Sequence, residues 1–116
     1  MDAAGTLYAI DAVGAILWSA PKAATAFTAL GKSMKDRMNF PISMTSDGRG
    51  RLFVVDQNGN GIAVLGVDGS YQGRQLSIGW GEGFVYYPSQ LCMNASGDVL
   101  LADRHNNRVQ LFSIGR

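Results

Sequence analysis

The side chains best equipped for chemistry are concentrated in one stretch, DRHNNR, which carries Asp103, Arg104, His105, Asn106 and Arg108. His105 is the only histidine of the chain, and an imidazole can act as general base or metal ligand near neutral pH. A single histidine cannot build a multi-histidine zinc site, and a symmetric pair of chains would supply only two. An aspartate at a strand end accepts hydrogen bonds from the turn that follows, and an arginine five positions on, returning along the next strand, can pair with it. Asp103 and Arg108 are therefore read as pinning a hairpin, in preference to a catalytic role. A second group, Trp80, Phe84, Tyr86 and Tyr87, surrounds the glycine-rich GWGEG. That run is neither a P-loop nor a dinucleotide fingerprint, and no helix follows it. Exposed aromatics beside Arg74 and Gln90 suit a binding surface. The candidate binding residues are Trp80, Tyr86, Tyr87, Arg104 and His105. Spacing supports no Ser/His/Asp or paired-carboxylate arrangement, so no catalytic residue, metal or cofactor is expected.

Composition narrows the classes. Lys+Arg number 10 and Asp+Glu 9, a net charge of +1, which supplies no global field for nucleic acid or an anionic membrane. The densest basic set, Lys22, Lys32, Lys35, Arg37 and Arg51, is interrupted by Asp36 and reads as a solvated loop. Cys92, the single cysteine, cannot form an internal disulfide; between Leu91 and Met93 it reads as a small buried hydrophobe. The start MDAAGTLYAID has no basic region followed by an apolar one, and no apolar run nears the ~18 residues of a membrane span. A cytoplasmic protein is the default expectation.

The elements that must position these residues are short strands. The 15 glycines fall at turns between brief apolar runs, a pattern of many strands and no long helices. TLYAID and AILWS form a hairpin. Residues 26–30 read as an outer strand and residues 32–39 as a surface connection. PISMTSD, RLFVVD, GIAVLGV and GRQLSIG then follow as four strands, GWGEGFVYY connects, and PSQLCMN, DVLLAD and RVQLFSI repeat the order. Asn94-Ala95-Ser96 matches a glycosylation acceptor but reads as the turn of this repeat. Strand-end aspartates fall at Asp11, Asp56 and Asp103, spaced 45 and 47 apart. Pro41 pairs with Pro88, Gly50 with Gly97, Leu52 with Val99 and Ile62 with Val109. A repeat of this length holding four short strands is the signature of a propeller blade.

At Pro88, Gly97, the run ending Ala102-Asp103, and Asn106, Arg108 and Phe112, the chain resembles the NHL repeat family of β-propellers. The middle unit keeps Pro41, Gly50 and LFVVD but has Gly59 and Gly61 where the pattern wants Asn and Arg; the first keeps GTLYAID. The resemblance implies an all-β fold of four-stranded antiparallel blades and says little of activity. Peptidyl-hydroxyglycine lyases, which share this fold, have a similar turn that Arg104 and Arg108 fit. They also need several metal-binding histidines and a catalytic tyrosine, which this chain cannot match. The resemblance also implies RNA contact as an alternative, since some NHL domains bind RNA.

The units divide as a partial blade at residues 5–31, a full one at 40–79 and a partial one at 87–114. The first lacks an inner strand and the third an outer one. Propellers close with about 4 to 8 blades, so the chain is either part of a longer protein or completes a ring with itself; a six-bladed homodimer is the expected form. The expected function is a non-enzymatic binding or scaffold module for a protein or peptide, with a propeller enzyme as the alternative.

Overall fold

The computed structural model describes residues 5–59, 61–75, 77–78, 84–85, 88–93 and 98–113, with residues 75, 77, 78, 84, 85, 105, 112 and 113 described as backbone alone. The fold is all-β. Strands β1 (Leu7–Asp11), β2 (Ile16–Ala20) and β3 (Thr28–Leu30) form one antiparallel sheet in that order. β4 (Pro41–Ser46), β5 (Arg51–Asp56), β6 (Gly61–Gly66) and β7 (Tyr71–Gln75) form the second. A short parallel pair, β8 (Ser77–Ile78) and β9 (Phe84–Val85), was not expected. It leads to the third sheet of β10 (Pro88–Met93), β11 (Asp98–Asp103) and β12 (Arg108–Ser113).

The repeat positions acquire structural meaning through register. Pro41 lies opposite Asp56, and Pro88 opposite Asp103. Each proline opens its strand, where its missing N–H costs the ladder nothing. A bulge follows each, between Pro41 and Ser43 and between Pro88 and Gln90. Across the next turn Asp11 faces Ile16, Asp56 faces Gly61 and Asp103 faces Arg108. Gly50 closes the β4–β5 turn at φ +87, a left-handed conformation that side chains with a Cβ adopt at a cost.

The three sheets stack face to face as blades. Ala15, Leu17, Met34, Met38, Leu52, Val54, Ala63 and Leu65 make the core between the first and second. Phe53, Val55, Ile62, Val64, Leu91, Val99 and Leu101 make the core between the second and third. Period-two alternation sends Leu52 and Val54 one way and Phe53 and Val55 the other, so the second blade is apolar on both faces. Every residue of β6 is buried.

Three expectations are corrected. The connection at 32–39 is no plain surface loop: Met34 and Met38 are buried, and Met34 N–H donates to Ala15 O at 2.8 Å. Its two methionines fill the groove beside Leu17, which the polar residues around them concealed in the sequence. Cys92 is exposed and not buried. Strand alternation puts Leu91 and Met93 toward the second blade and Cys92 on the far side of the sheet, which no further blade of this chain covers. The outer strand of the first blade is also shorter than residues 26–30.

The β4–β5 turn holds a carboxylate whose titration is expected to register in stability. Burial alone would raise the pKa of Asp47, but N–H donation from Arg49 and Arg51 and the Arg51 guanidinium outweigh it, and the carboxyl is held below the usual range. The bonds are 2.7 Å from Arg49 N, 3.1 Å from Arg51 N and 2.7 Å from Arg51 Nε. A depressed folded-state pKa contributes stability above the unfolded value, and that stability is lost as pH falls through the folded one. Asp47→Asn is expected to cost about 1–2 kcal/mol at pH 7 and to flatten the acid limb of stability below about pH 4. Urea unfolding followed across that range would read both. A variant with the wild-type acid limb would show that Asp47 is not the titrating group.

Candidate ligand-binding cleft at the aspartate ends of the strands

The three strand-end aspartates solve one local problem with different donors. Each closes its strand just before a tight turn whose backbone needs acceptors. Asp11 Oδ1 accepts from Val13 N at 2.9 Å and Gly14 N at 3.0 Å. Asp103, fully buried, accepts through Oδ2 from Asn106 Nδ2 at 2.7 Å, Arg108 Nε at 2.8 Å and Gln110 Nε2 at 3.0 Å. Its turn is a 3-10 segment, Arg104–Asn106, closed by Asn107 at φ 52, a left-handed position that asparagine tolerates.

Asp56 is also fully buried, and its donors come from two segments distant from it in sequence, one on either side. Asn39 N and Phe40 N donate to its Oδ1 at 2.9 and 2.7 Å. Arg74, from the outer strand β7, reaches its Oδ2 at 2.6 Å. The same guanidinium donates to Arg37 O at 2.8 Å and Gly59 O at 3.3 Å. Arg74 therefore takes the role that the sequence pattern assigns to an arginine at the position of Gly61. A partial signal was present: Asp56 is retained while Gly59 and Gly61 stand where the pattern has Asn and Arg, so those two donors had to be replaced from other positions.

Gly59 is what lets it in. Gly59 occupies the position of Asn106 in the third blade, and a Cβ there would overlap Asp56 Oδ2 and stand 3.1 Å from Arg74 Nη2. Gly59→Ala is expected to cost about 2 kcal/mol in urea unfolding, since filling a packed site forces its neighbours to move. A loss below about 0.5 kcal/mol would mean that Arg74 has room to retreat.

These bonds build the walls of an open cleft between the first and second blades. It has a volume of about 370 Å³ and is lined by Ala12, Val13, Lys35, Met38, Asn39, Phe40 and Asn58. Met38 is buried as floor, Phe40 is half-buried, and Val13 stands 70% exposed on its turn. Lys35, Asn39 and Asn58 are exposed around them. Asp56 fixes the backbone of Asn39 and Phe40 while Gln57 N donates to Phe40 O at 3.0 Å. The cleft thus sets a few apolar side chains among a mainly polar lining, a mixture that can both contact and orient a ligand.

The structure places the residues nominated from the sequence as follows. Asp11, Asp56, Asp103, Asn106 and Arg108 hold turns, and Pro41, Pro88 and Gly50 sit at strand starts and a tight turn. Trp80, Tyr86, Tyr87, Gly97 and the Asn94–Ser96 turn lie outside the described residues, and His105 is described only as backbone within the 3-10 segment. Arg104 is exposed on that segment. By the 47-residue repeat, Asn39, Phe40, Gln57 and Asn58 correspond to Tyr86, Tyr87, Arg104 and His105. By sequence repeat alone, Tyr86, Tyr87 and His105 are thus the counterparts of Asn39, Phe40 and Asn58, which line the cleft, whereas Gln57, the counterpart of Arg104, does not. Sequence reasoning missed the cleft itself, because Val13, Lys35 and Phe40 are unremarkable until the connection at 31–40 folds beside the turns. Among the described residues no group of three or more His, Cys, Asp or Glu is placed to hold a metal ion.

Three stacked antiparallel blades with this register give the chain the fold of a partial β-propeller. Residues 85–112 match the family model described as the NHL repeat. The fold is similar to that of catalytically inactive virginiamycin B lyase from Staphylococcus aureus with quinupristin, at a TM-score of 0.70 and 15% identity, over 97% of this chain and 39% of that one. A streptogramin B lyase structure is similar at a TM-score of 0.70 and 14% identity, over 97% of this chain and 38% of that one. The chain thus spans about two fifths of the length of either structure. No curated protein matches it.

Proposed function

We propose that the chain is a non-enzymatic binding module of propeller type that takes a protein or peptide ligand on the blade face bearing the strand-end aspartates, and that it acts as a self-assembled ring. The observation that carries this reading is the cleft of about 370 Å³ lined by Val13, Lys35, Met38, Asn39, Phe40 and Asn58. Val13 and Phe40 suit contact with a peptide side chain, and Lys35, Asn39 and Asn58 suit backbone amides and carboxylates. By sequence repeat, Tyr86, Tyr87 and His105 are the counterparts of Asn39, Phe40 and Asn58, which suggests a ligand segment extended across more than one blade. A lyase reading draws on the names of the two structural neighbours, but at 15% and 14% identity that likeness bears on fold alone.

Panning a random-peptide phage library on the purified chain, followed by amide chemical-shift mapping of the enriched peptides, tests the reading. The expected shifts centre on Val13, Lys35, Asn39, Phe40 and Asn58, and Phe40→Ala is expected to weaken binding about tenfold, the value of one well-packed anchor. No enrichment, or shifts confined to other surfaces, would overturn it. Conversion of quinupristin on incubation would favour the lyase reading instead.

A further inference from the structure

Blade stacking in this chain leaves two apolar faces uncovered, and repeat equivalence says what each is shaped to meet. In the second blade Phe53, Ile62 and Val64 are 0%, 2% and 7% exposed under the third blade. One repeat on, the same positions are Leu100, Val109 and Leu111, and they are 45%, 63% and 67% exposed. Leu100 lies between Cys92 and Leu111 in the strand register, so these residues form continuous rows across the sheet. At the other end, Leu7 is 46% exposed where its equivalent Leu52 is 1% exposed. Asp11 is exposed where Asp56 and Asp103 are fully buried.

We infer that the outer face of the third blade seats the outer face of the first blade of a second copy, head to tail, so that two copies close a six-bladed ring. The inference rests on the ring-forming part of the reading above and not on its ligand. What covers Phe53 within the chain is a sheet presenting Val99 and Leu101. The first blade presents Leu7 and Ala9 at those same repeat positions, so the contact between copies continues the one that already joins the second blade to the third. A two-fold axis makes both junctions of such a ring identical.

The test uses two charge variants, Leu7→Glu on the first blade and Leu111→Lys on the third, with mass by light scattering and fold by circular dichroism. Wild type is expected at twice the chain mass of 12.4 kDa. Each variant alone is expected as a folded monomer. An equimolar mixture of the two is expected to regain the doubled mass, because in the mixed pair one junction is native and the other sets the introduced carboxylate against the introduced ammonium. Cys92, in the covered face, is expected to react with a thiol reagent about ten times more slowly in the wild type than in Leu111→Lys. A wild-type monomer with freely reactive Cys92 would overturn the inference and leave the face to other blades or other partners. A dimer broken by Leu111→Lys but indifferent to Leu7→Glu, or one cross-linked through Cys92 of both copies, would overturn it in favour of a third-blade-to-third-blade contact. A monomer that still binds peptide in the cleft removes this inference and the ring of the reading above but leaves its ligand, whereas a ring that binds none removes only the ligand.

Discussion

Asp56→Ala is expected to lower the unfolding free energy by about 3 kcal/mol, the scale of stripping one partner from a buried ion pair. The carboxylate is fully buried, while the Arg74 side chain is 29% exposed. After the substitution, Arg74 can partly turn to water, which holds the loss toward the low end of that range. The N–H groups of Asn39 and Phe40 lose their acceptor, and the ties from Arg74 to Arg37 O and Gly59 O lose their anchor. Because one carboxylate organises the connection, the turn and the outer strand, the two ends of the pair are coupled. Asp56→Ala combined with Arg74→Met is expected to cost less than the two single changes added, by about 1.5 kcal/mol or more. Guanidinium unfolding of the four proteins measures that coupling. Additive losses would show that Arg74 and Asp56 act separately. The cleft wall depends on the same bonds, so peptide binding is expected to fall in Asp56→Ala even without denaturant, at temperatures where the chain stays folded.

Much of this architecture was legible in the sequence because it rests on local rules. Proline at a strand start, glycine or asparagine at a left-handed turn and an aspartate at a strand end each state a backbone requirement, and they recur at nearly constant spacing. Asp103 with Arg108 was readable for the same reason, since five residues across one turn leave little freedom in where the arginine lies. Asp56 with Arg74 was not. Eighteen positions and two turns separate them, and the meeting depends on Gly59 leaving space, a packing fact with no local signature. The cleft was hidden for a related reason: Met34 and Met38 draw the connection inward, and only then do Val13, Lys35 and Phe40 share a surface. Cys92 was misread because its neighbours in sequence are apolar, whereas burial in a strand alternates from one residue to the next.

Phe53→Ala is expected to be at least as costly, about 3–5 kcal/mol, the range for emptying a buried aromatic site. Phe53 is fully buried in the core against Leu91, Val99 and Leu101, and the Arg51 guanidinium lies 5.2 Å from its ring centre. The loss should be uneven. In a stack of repeats each unit contacts only its neighbours, and among the described residues the buried core of the third blade is shared with the second. Native-state hydrogen exchange is therefore expected to accelerate about a hundredfold or more at Leu91, Val99 and Leu101, with Leu17 in the first blade changing far less, since about 1.4 kcal/mol is tenfold in opening. Equal acceleration in both outer blades would mean that the three unfold as one unit. The equivalent substitution one blade on, Leu100→Ala, removes a side chain that is 45% exposed in the single chain. Its expected cost to the monomer is under about 0.5 kcal/mol. The same chemical step at two repeat-equivalent positions thus separates what a blade contributes within the chain from what it holds for a neighbour outside it.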